Sequence, residues 1–409
     1  MNRYIWASMM GRAYKVVVLN IVNLFILAVL LNLACLPLLP HLRRPLDSIA
    51  QADVKAWLQN WDRDLLLKLH PGKSYEDIVE IFADAARVHV VYEPFYEHRY
   101  PEYESKTFNV HAAGFRSIGK RQGPWPPPTD ANVVFIFGGS TAMGGGVQDQ
   151  DTIAAALQSK MRAASGKDNV FVYNFGVSAY QSTQEMLRFT LLLQQDIIPT
   201  TAIFLDGLND MIIWNGEPAL APLLRSAANI VQDGVTQDSL GFHIGRFWAR
   251  LPMVEVADRL AARTVTPSPF PQAELPTGAV DDSARAEISI KRYLSNRRMA
   301  KSIGDAYGVK TVFIWQPIPY YRYPFEKEAM TMLDAMPGTG NRYGLRAKYG
   351  YNVVLSSYMD RMRSFDGFHW CADAQENSSK MLYVDHVHYN ADGSDLVAEC
   401  IMEKAFPSP

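Results

Sequence analysis

The sequence is poor in cysteine, with three in 409 residues: Cys35, Cys371 and Cys400. That excludes a disulfide-stapled scaffold and a cysteine-rich metal module. Stability must come from a buried core, and the length allows one large domain or two small ones. An excess of one charge is lacking too. The chain has 40 Lys and Arg against 42 Asp and Glu, a formal charge of -2, and no basic block, which sets nucleic-acid binding aside. No phosphate-binding signature is complete. In "VVFIFGGSTAMGGGVQDQDT", Val133 to Thr152, Gly139 and Gly144 have the spacing of a phosphate loop. Gly145 stands where that loop needs lysine, and the GxGxxG order of a dinucleotide loop is absent. His369, Asp385, His386 and His388 offer possible ligands but no clean zinc spacing. No cofactor or metal is expected, and no internal repeat is visible.

Charge is locally absent as well. Val16 to Leu39 is a run of 24 uncharged residues. As a helix it would reach about 36 Å, enough for a hydrocarbon core of about 30 Å. It is too long for the core of an ordinary signal peptide, and no small-residue cleavage site follows cleanly. Asn20, Asn23 and Asn32 weaken it slightly. The expectation is a single anchor over 16–39 that contacts the lipid bilayer, with 1–15 as a cytoplasmic tail. Arg3, Arg12 and Lys15 before the run, against Arg43 and Arg44 after it, favour that orientation only narrowly. The large C-terminal part would then be extracytoplasmic, most simply in the periplasm of a bacterial envelope.

Residues 40–130 read as a juxtamembrane region of helical and extended segments. Val54, Trp57, Leu58, Trp61, Leu65 and Leu66 fall on one helical stripe. "SYEDIVEIFADAARV" begins a second helix, with Ser74 as cap and Asp77 three residues on. "GPWPPPTD" then marks a boundary, because its prolines suit neither a helix nor an inner strand. From 131 to 409 the rhythm changes to apolar strands alternating with helices. "NVVFIFG", "NVFVYNFG", "TTAIFLDG" and "VKTVFIWQP" are strands suited to burial on both faces, which implies a parallel sheet covered by helices. A proline-rich stretch over about 211–282 interrupts this as a cap or insertion.

Four blocks lie where such a sheet would end its strands. Ser140 follows the first strand, Gly176 the second, and Gly207, Asn209 and Asp210 the third. "YVDHVHYN" near the C-terminus supplies Asp385 and His388. In a parallel sheet these strand ends share one edge, where ligands bind. The set, in this order, resembles the SGNH (GDSL-like) hydrolases, whose markers are Ser, Gly, Asn and His with a DxxH block. The resemblance covers roughly 130–405. Gly139 replaces the aspartate of GDS, a variation associated with envelope-anchored branches. "HAAGFRS" upstream is similar to an NxxGFR motif of such members, with His111 in place of its asparagine. An α/β-hydrolase elbow fits less well: Gly138, Ser140 and Ala142 nearly match GxSxG, but that fold places its acid and histidine on separate loops.

The resemblance implies a flavodoxin-like three-layer α/β sandwich and a serine esterase. Ser140 would be the nucleophile, His388 the base and Asp385 its orienting partner. The N–H groups of Ser140 and Gly176 and the Asn209 amide would form the oxyanion hole, with glycine at 176 allowing close approach to substrate. Each residue has a plainer use. Ser140 could cap a helix, Asn209 could bond its own turn, and His386 could replace His388. Asp385 could cap the last helix, although Asn390 is better placed. Trp214, Trp248 and Trp315 could stack on a sugar ring or fill the core. Cys371 and Cys400 could pair, closing a loop of about 30 residues, or remain buried thiols. The resemblance, together with anchoring, implies an acylated envelope glycan as the partner substrate, with hydrolysis or O-acyl transfer as the reaction. Glycan binding by an inactive domain and lipid esterase or thioesterase activity are the alternatives. Oligomeric state is not legible.

Overall fold

In the computed structural model the described residues are 2–38, 54–55, 58, 61–212, 251–254, 256–257, 282–328 and 342–407. Trp57, Trp214, Trp248 and most of the expected insertion lie outside them. Two units are distinct, Met1–Ile49 with Ile230–Pro267, and Ala50–Asn229 with Ser268–Pro409; each is described by itself.

The first unit carries helix α1 (Asn2–Cys35). Its segment Tyr14–Cys35 has 22 residues, a mean hydropathy of 2.6 and no burial, so it is long and apolar enough to cross a membrane. The helix stops before Pro37, earlier than the apolar run suggests, because proline has no N–H to continue the ladder. Asn32 satisfies its own amide within the span by donating to Ala28 O at 2.8 Å, and its carbonyl oxygen accepts from Met253 N at 3.1 Å.

The second unit begins with α2 (Arg63–Leu69) and α3 (Tyr75–Arg87). The stripe from Val54 to Leu66 does not form one helix. Asp62 interrupts it by turning its carboxylate onto Asp64 N and Leu65 N at 2.8 and 3.3 Å, which caps a new helix. Val54, Leu58, Trp61 and Leu66 are still buried together, against Ile78 and Phe82 of α3. The capping box of α3 is as expected: Ser74 Oγ accepts from Asp77 N and Ser74 N donates to Asp77 Oδ2, each at 3.1 Å. After α3 an extended segment forms an antiparallel hairpin, β1 (Val91–Glu93) and β2 (Glu97–Arg99).

A five-stranded parallel sheet follows, in the order β4-β3-β5-β6-β7. Its strands are β3 (Asn132–Gly138), β4 (Val170–Asn174), β5 (Thr201–Asp206), β6 (Lys310–Trp315) and β7 (Phe368–Trp370). Counted along the chain the order is 2-1-3-4-5, the doubly wound flavodoxin-like arrangement. The alternation of side chains segregates two cores. Phe137, Phe204 and Phe313 point to one face and stack with 5.2 Å between successive centroids. That face also takes Trp315, which is a core residue and not a sugar platform. Val134, Ile136, Ile203, Leu205, Val312 and Ile314 point to the other. Helices α6 (Ser182–Gln194) and α8 (Asp282–Ala306) cover the aromatic face, and α5 (Ile153–Ser165) and α11 (Ala391–Ala405) the aliphatic one. Between β3 and β6 lie the short α4 (Ser140–Met143) and α7 (Leu208–Ile212); α9 (Arg342–Val353) and α10 (Met359–Arg363) precede β7. Helix α6 is capped by Gln181 in a box with Gln184.

Cys371, just after β7, is disulfide-bonded to Cys400 in α11, with 6.1 Å between their Cα atoms and 29 residues of separation. The intervening loop contains Asp385 and His388. Closing a loop of this size removes freedom from the unfolded chain, so replacing both cysteines by alanine is expected to lower the unfolding free energy by about 3 kcal/mol. Urea titration with and without reductant measures this.

Candidate active site

Ser140 opens α4, directly beyond the end of β3. Its Oγ lies 2.8 Å from His388 Nε2, and His388 Nδ1 lies 2.7 Å from Asp385 Oδ2. A carboxylate only accepts, so the proton sits on Nδ1 and the lone pair of Nε2 faces the Ser140 hydroxyl. Asp385 is fixed from its other oxygen. Oδ1 accepts from Val387 N and His388 N, each at 2.8 Å, inside a tight loop closed by Val384 N donating to His388 O. Burial alone would raise the Asp385 pKa. The His388 ring beside it and the hydrogen bonds from His388 outweigh burial and hold the carboxyl well below the ordinary range. Asp385 therefore orients His388, while Asn390 caps α11 by accepting from Gly393 N at 2.9 Å. His386 is buried beside the pair, with its pKa lowered by burial. It is His388 that reaches Ser140. His369 lies on β7. Among the described residues no group of three or more His, Cys, Asp and Glu could hold a metal ion.

Asn209 sits in α7, after β5, and is buried. Its side-chain amide donates to Tyr180 O at 2.8 Å. A Cβ on Gly139 would collide with that amide, so glycine at 139 lets Asn209 lie directly against the residue before Ser140. Beneath Asn209 are three buried carboxyl groups. Burial, and then the charge of their neighbours, push Glu185 and Asp206 well up. Asp210 is also raised by burial, although Ser182 donates to it at 2.8 Å. The Ser182 bond ties Asp210 of α7 to the first residue of α6.

Gly176 differs from the expectation. Its N–H is spent on Asn174 Oδ1 at 3.0 Å, and the residue is buried. A Cβ there would collide with the backbone of Ala142 and Met143. Glycine is needed for the approach of the loop to α4, not of substrate to the loop. Ser178 and Ala179 are the half-buried members of this loop, and the φ of 65° at Ala179 is unusual for a residue other than glycine. Among the described residues its N–H has no hydrogen-bond partner. The residues on either side are pinned by β2 and its continuation: His98 Nε2 donates to Ser178 O at 2.8 Å, Tyr100 and Ser178 share a 2.6 Å hydroxyl bond, and the Tyr180 hydroxyl donates to His98 O. Nothing in the local sequence signals this, because an alanine does not advertise a left-handed backbone as a glycine does.

His70 was also missed. It ends α2, packs edge-on to Phe82, and lies close enough to Asp385 to feel its charge. Burial holds its pKa down to about 4, against the pull of Asp385. Its contribution to stability is complete above about pH 6.5, where folded and unfolded rings are both neutral. As pH falls towards 4 the unfolded chain takes up a proton that the folded one refuses, and that stability is lost. Between pH 7 and 4.5 the wild type is expected to lose about 2–3 kcal/mol more than His70→Gln, measured by urea titration at each pH. A second expectation concerns Gly176→Ala. The methyl overlaps backbone, so thermal stability should fall, as a melting curve will show.

No protein-family model matches the chain, and a search of curated proteins finds no match. Among solved structures, a psychrotrophic esterase from Pseudoalteromonas sp. is similar at 15% identity over 67% of this chain and 96% of that one, with a TM-score of 0.33. An acetyl xylan esterase from Geobacillus stearothermophilus has 11% identity over 71% and 98%, with a TM-score of 0.32. A GDSL-like lipase from Bacteroides thetaiotaomicron has 12% identity over 68% and 92%, with a TM-score of 0.31. Neither an activity nor a site residue is carried over from likenesses of this size.

Proposed function

We propose that this chain is a membrane-anchored serine esterase of the SGNH type, acting on carboxylic esters. The observation that carries the reading is the unbroken path from Ser140 Oγ through His388 to Asp385. In the reaction Ser140 Oγ attacks the ester carbonyl carbon while its proton passes to His388 Nε2. The imidazolium is stabilised by Asp385 and returns that proton to the departing alkoxide. Water, or a second hydroxyl in a transferase, then enters by the same base and releases the acyl group from Ser140.

The tetrahedral intermediate needs preset donors. We assign the N–H of Ser140, the N–H of Ala179 and the amide of Asn209, with Ala179 in place of Gly176. Holding alanine in the left-handed region costs of order 1–2 kcal/mol. The bonds from His98, Tyr100 and Tyr180 supply the constraint that keeps it there.

The substrate we favour is an O-acylated, chiefly O-acetylated, glycan of an envelope. Support comes from the resemblance of the four sequence blocks and from the candidate span Tyr14–Cys35. The disulfide supports an extracytoplasmic site, since such bonds persist in oxidising compartments. The detergent-solubilised full chain is treated with a fluorophosphonate probe beside Ser140→Ala and His388→Ala. Labelling of the wild type alone is the expected result; a folded wild type that neither labels nor cleaves a simple acetyl ester would sink the enzyme reading in favour of glycan binding. Asn209→Ala is expected to lower kcat by about 10²–10³-fold on that ester. A panel of acetylated glycans, long-chain lipid esters and thioesters then separates the substrate classes.

A further inference from the structure

Arg116 lies 24 residues before the nucleophile and is almost completely buried. A buried guanidinium needs a reason, because desolvating it is costly unless its donors are paired. Here all five N–H donors are accounted for. Nε donates to Asp149 Oδ1 at 3.1 Å. Nη1 donates to Met143 O and Gly144 O at 2.9 and 2.5 Å. Nη2 donates to Val147 O at 2.6 Å and to Thr107 O at 3.4 Å. The flat face of the group lies 4.2 Å from the Phe108 ring centroid.

Three of those acceptors belong to the glycine loop that follows Ser140. Helix α4 is a single turn, so the carbonyls at its end have no helical partner. Gly144, in the left-handed region at φ 88°, turns the chain so that these carbonyls converge on one point. Arg116 gathers them there. Its own backbone is tied to the sheet, with N donating to Asn174 O at 2.8 Å, and the Asn174 side chain donates to Ala142 O at 2.9 Å. The loop in turn sets both reacting side chains. Gly144 N and Gly145 N both donate to Ser140 O at 3.0 Å. A Cβ on Gly145 would stand 2.8 Å from His388 Cδ2 and 3.0 Å from Nε2, so the bare backbone there is the wall against which the imidazole rests.

From this geometry we infer that Arg116 is the positioning residue of the site: it holds Ser140 and the wall behind His388 in reacting alignment without touching substrate. The inference rests on the reading of Ser140 as nucleophile. It predicts a selective loss of turnover, because misplacing reacting groups by about 1 Å costs on the order of 10²-fold.

The test compares the full-length wild type with Arg116→Lys and Gly145→Ala in detergent. Lysine keeps a positive charge opposite Asp149 but has three donors in place of five. Alanine at 145 needs no unusual backbone angle and presses on His388. Rates of fluorophosphonate labelling, kcat and KM on a simple acetyl ester, and amide hydrogen exchange are measured. Arg116→Lys is expected to lower labelling and kcat by on the order of 10²-fold with KM unchanged, and to speed exchange over 140–147 alone. Wild-type turnover, a change in KM alone, or exchange rising across the whole domain would overturn the inference. If Arg116→Lys fails to fold, Gly145→Ala must show the same kcat-selective loss, and unaltered kcat overturns the idea. If the wild type itself is inert, the esterase reading has failed, and exchange still decides: a rise confined to 140–147 supports the clamp and no rise overturns it.

Discussion

A parallel sheet ends all its strands on one edge, and this chain depends on that constraint. β3, β4 and β5 pair in parallel, with Ile136 opposite Asn174 and Gly138 opposite Leu205. Both faces of the sheet are filled, one by aromatic rings and the other by aliphatic side chains. Ser140, Ala179 and Asn209 follow the three strands, and each is delivered to the same edge by a backbone that has little freedom to put it elsewhere.

The proposed acid and base arrive by a different route. Asp385 and His388 belong to a loop between β7 and α11 that contains no strand or helix. Order comes from side chains that reach backbone groups. Gln375, fully buried, donates to Ile318 O and Tyr321 O at 2.6 and 2.7 Å. Asn390 donates to Leu69 O and Met381 O at 3.0 and 2.7 Å. Asp385 closes its own turn, and the disulfide secures the loop at both ends. Most of these partners are buried, where an unmet donor or acceptor would cost more than its bond contributes.

Segments before the sheet complete the edge. β2 and the residue that follows it fix the backbone around Ala179 through His98 and Tyr100. Arg116 collects the carbonyls after Ser140, and the end of α2 brings His70 within reach of the Asp385 charge. A region that reads along the chain as a connector to the sheet is part of the frame around the candidate site. The sheet supplies the positions of the blocks, and this earlier layer supplies their stiffness.

The amino-acid sequence by itself determined the apolar strands, the parallel sheet they imply, the capping box at Ser74 and the order of Ser140, Asn209, Asp385 and His388. Those features are local: burial on both faces, a cap three residues from its partner and a block at a strand end are each written within a few neighbours. The role of Gly176 in packing, the left-handed Ala179 and the partners of Arg116 and His70 were decided by the tertiary structure alone. Each depends on a group far away in sequence. Gly176 is fixed by α4, Ala179 by β2, and Arg116 by the carbonyls of Met143, Gly144 and Val147, at and beyond the end of the single turn of α4. Periodicity records which face of an element is buried, but not what an unpaired N–H or C=O will meet there.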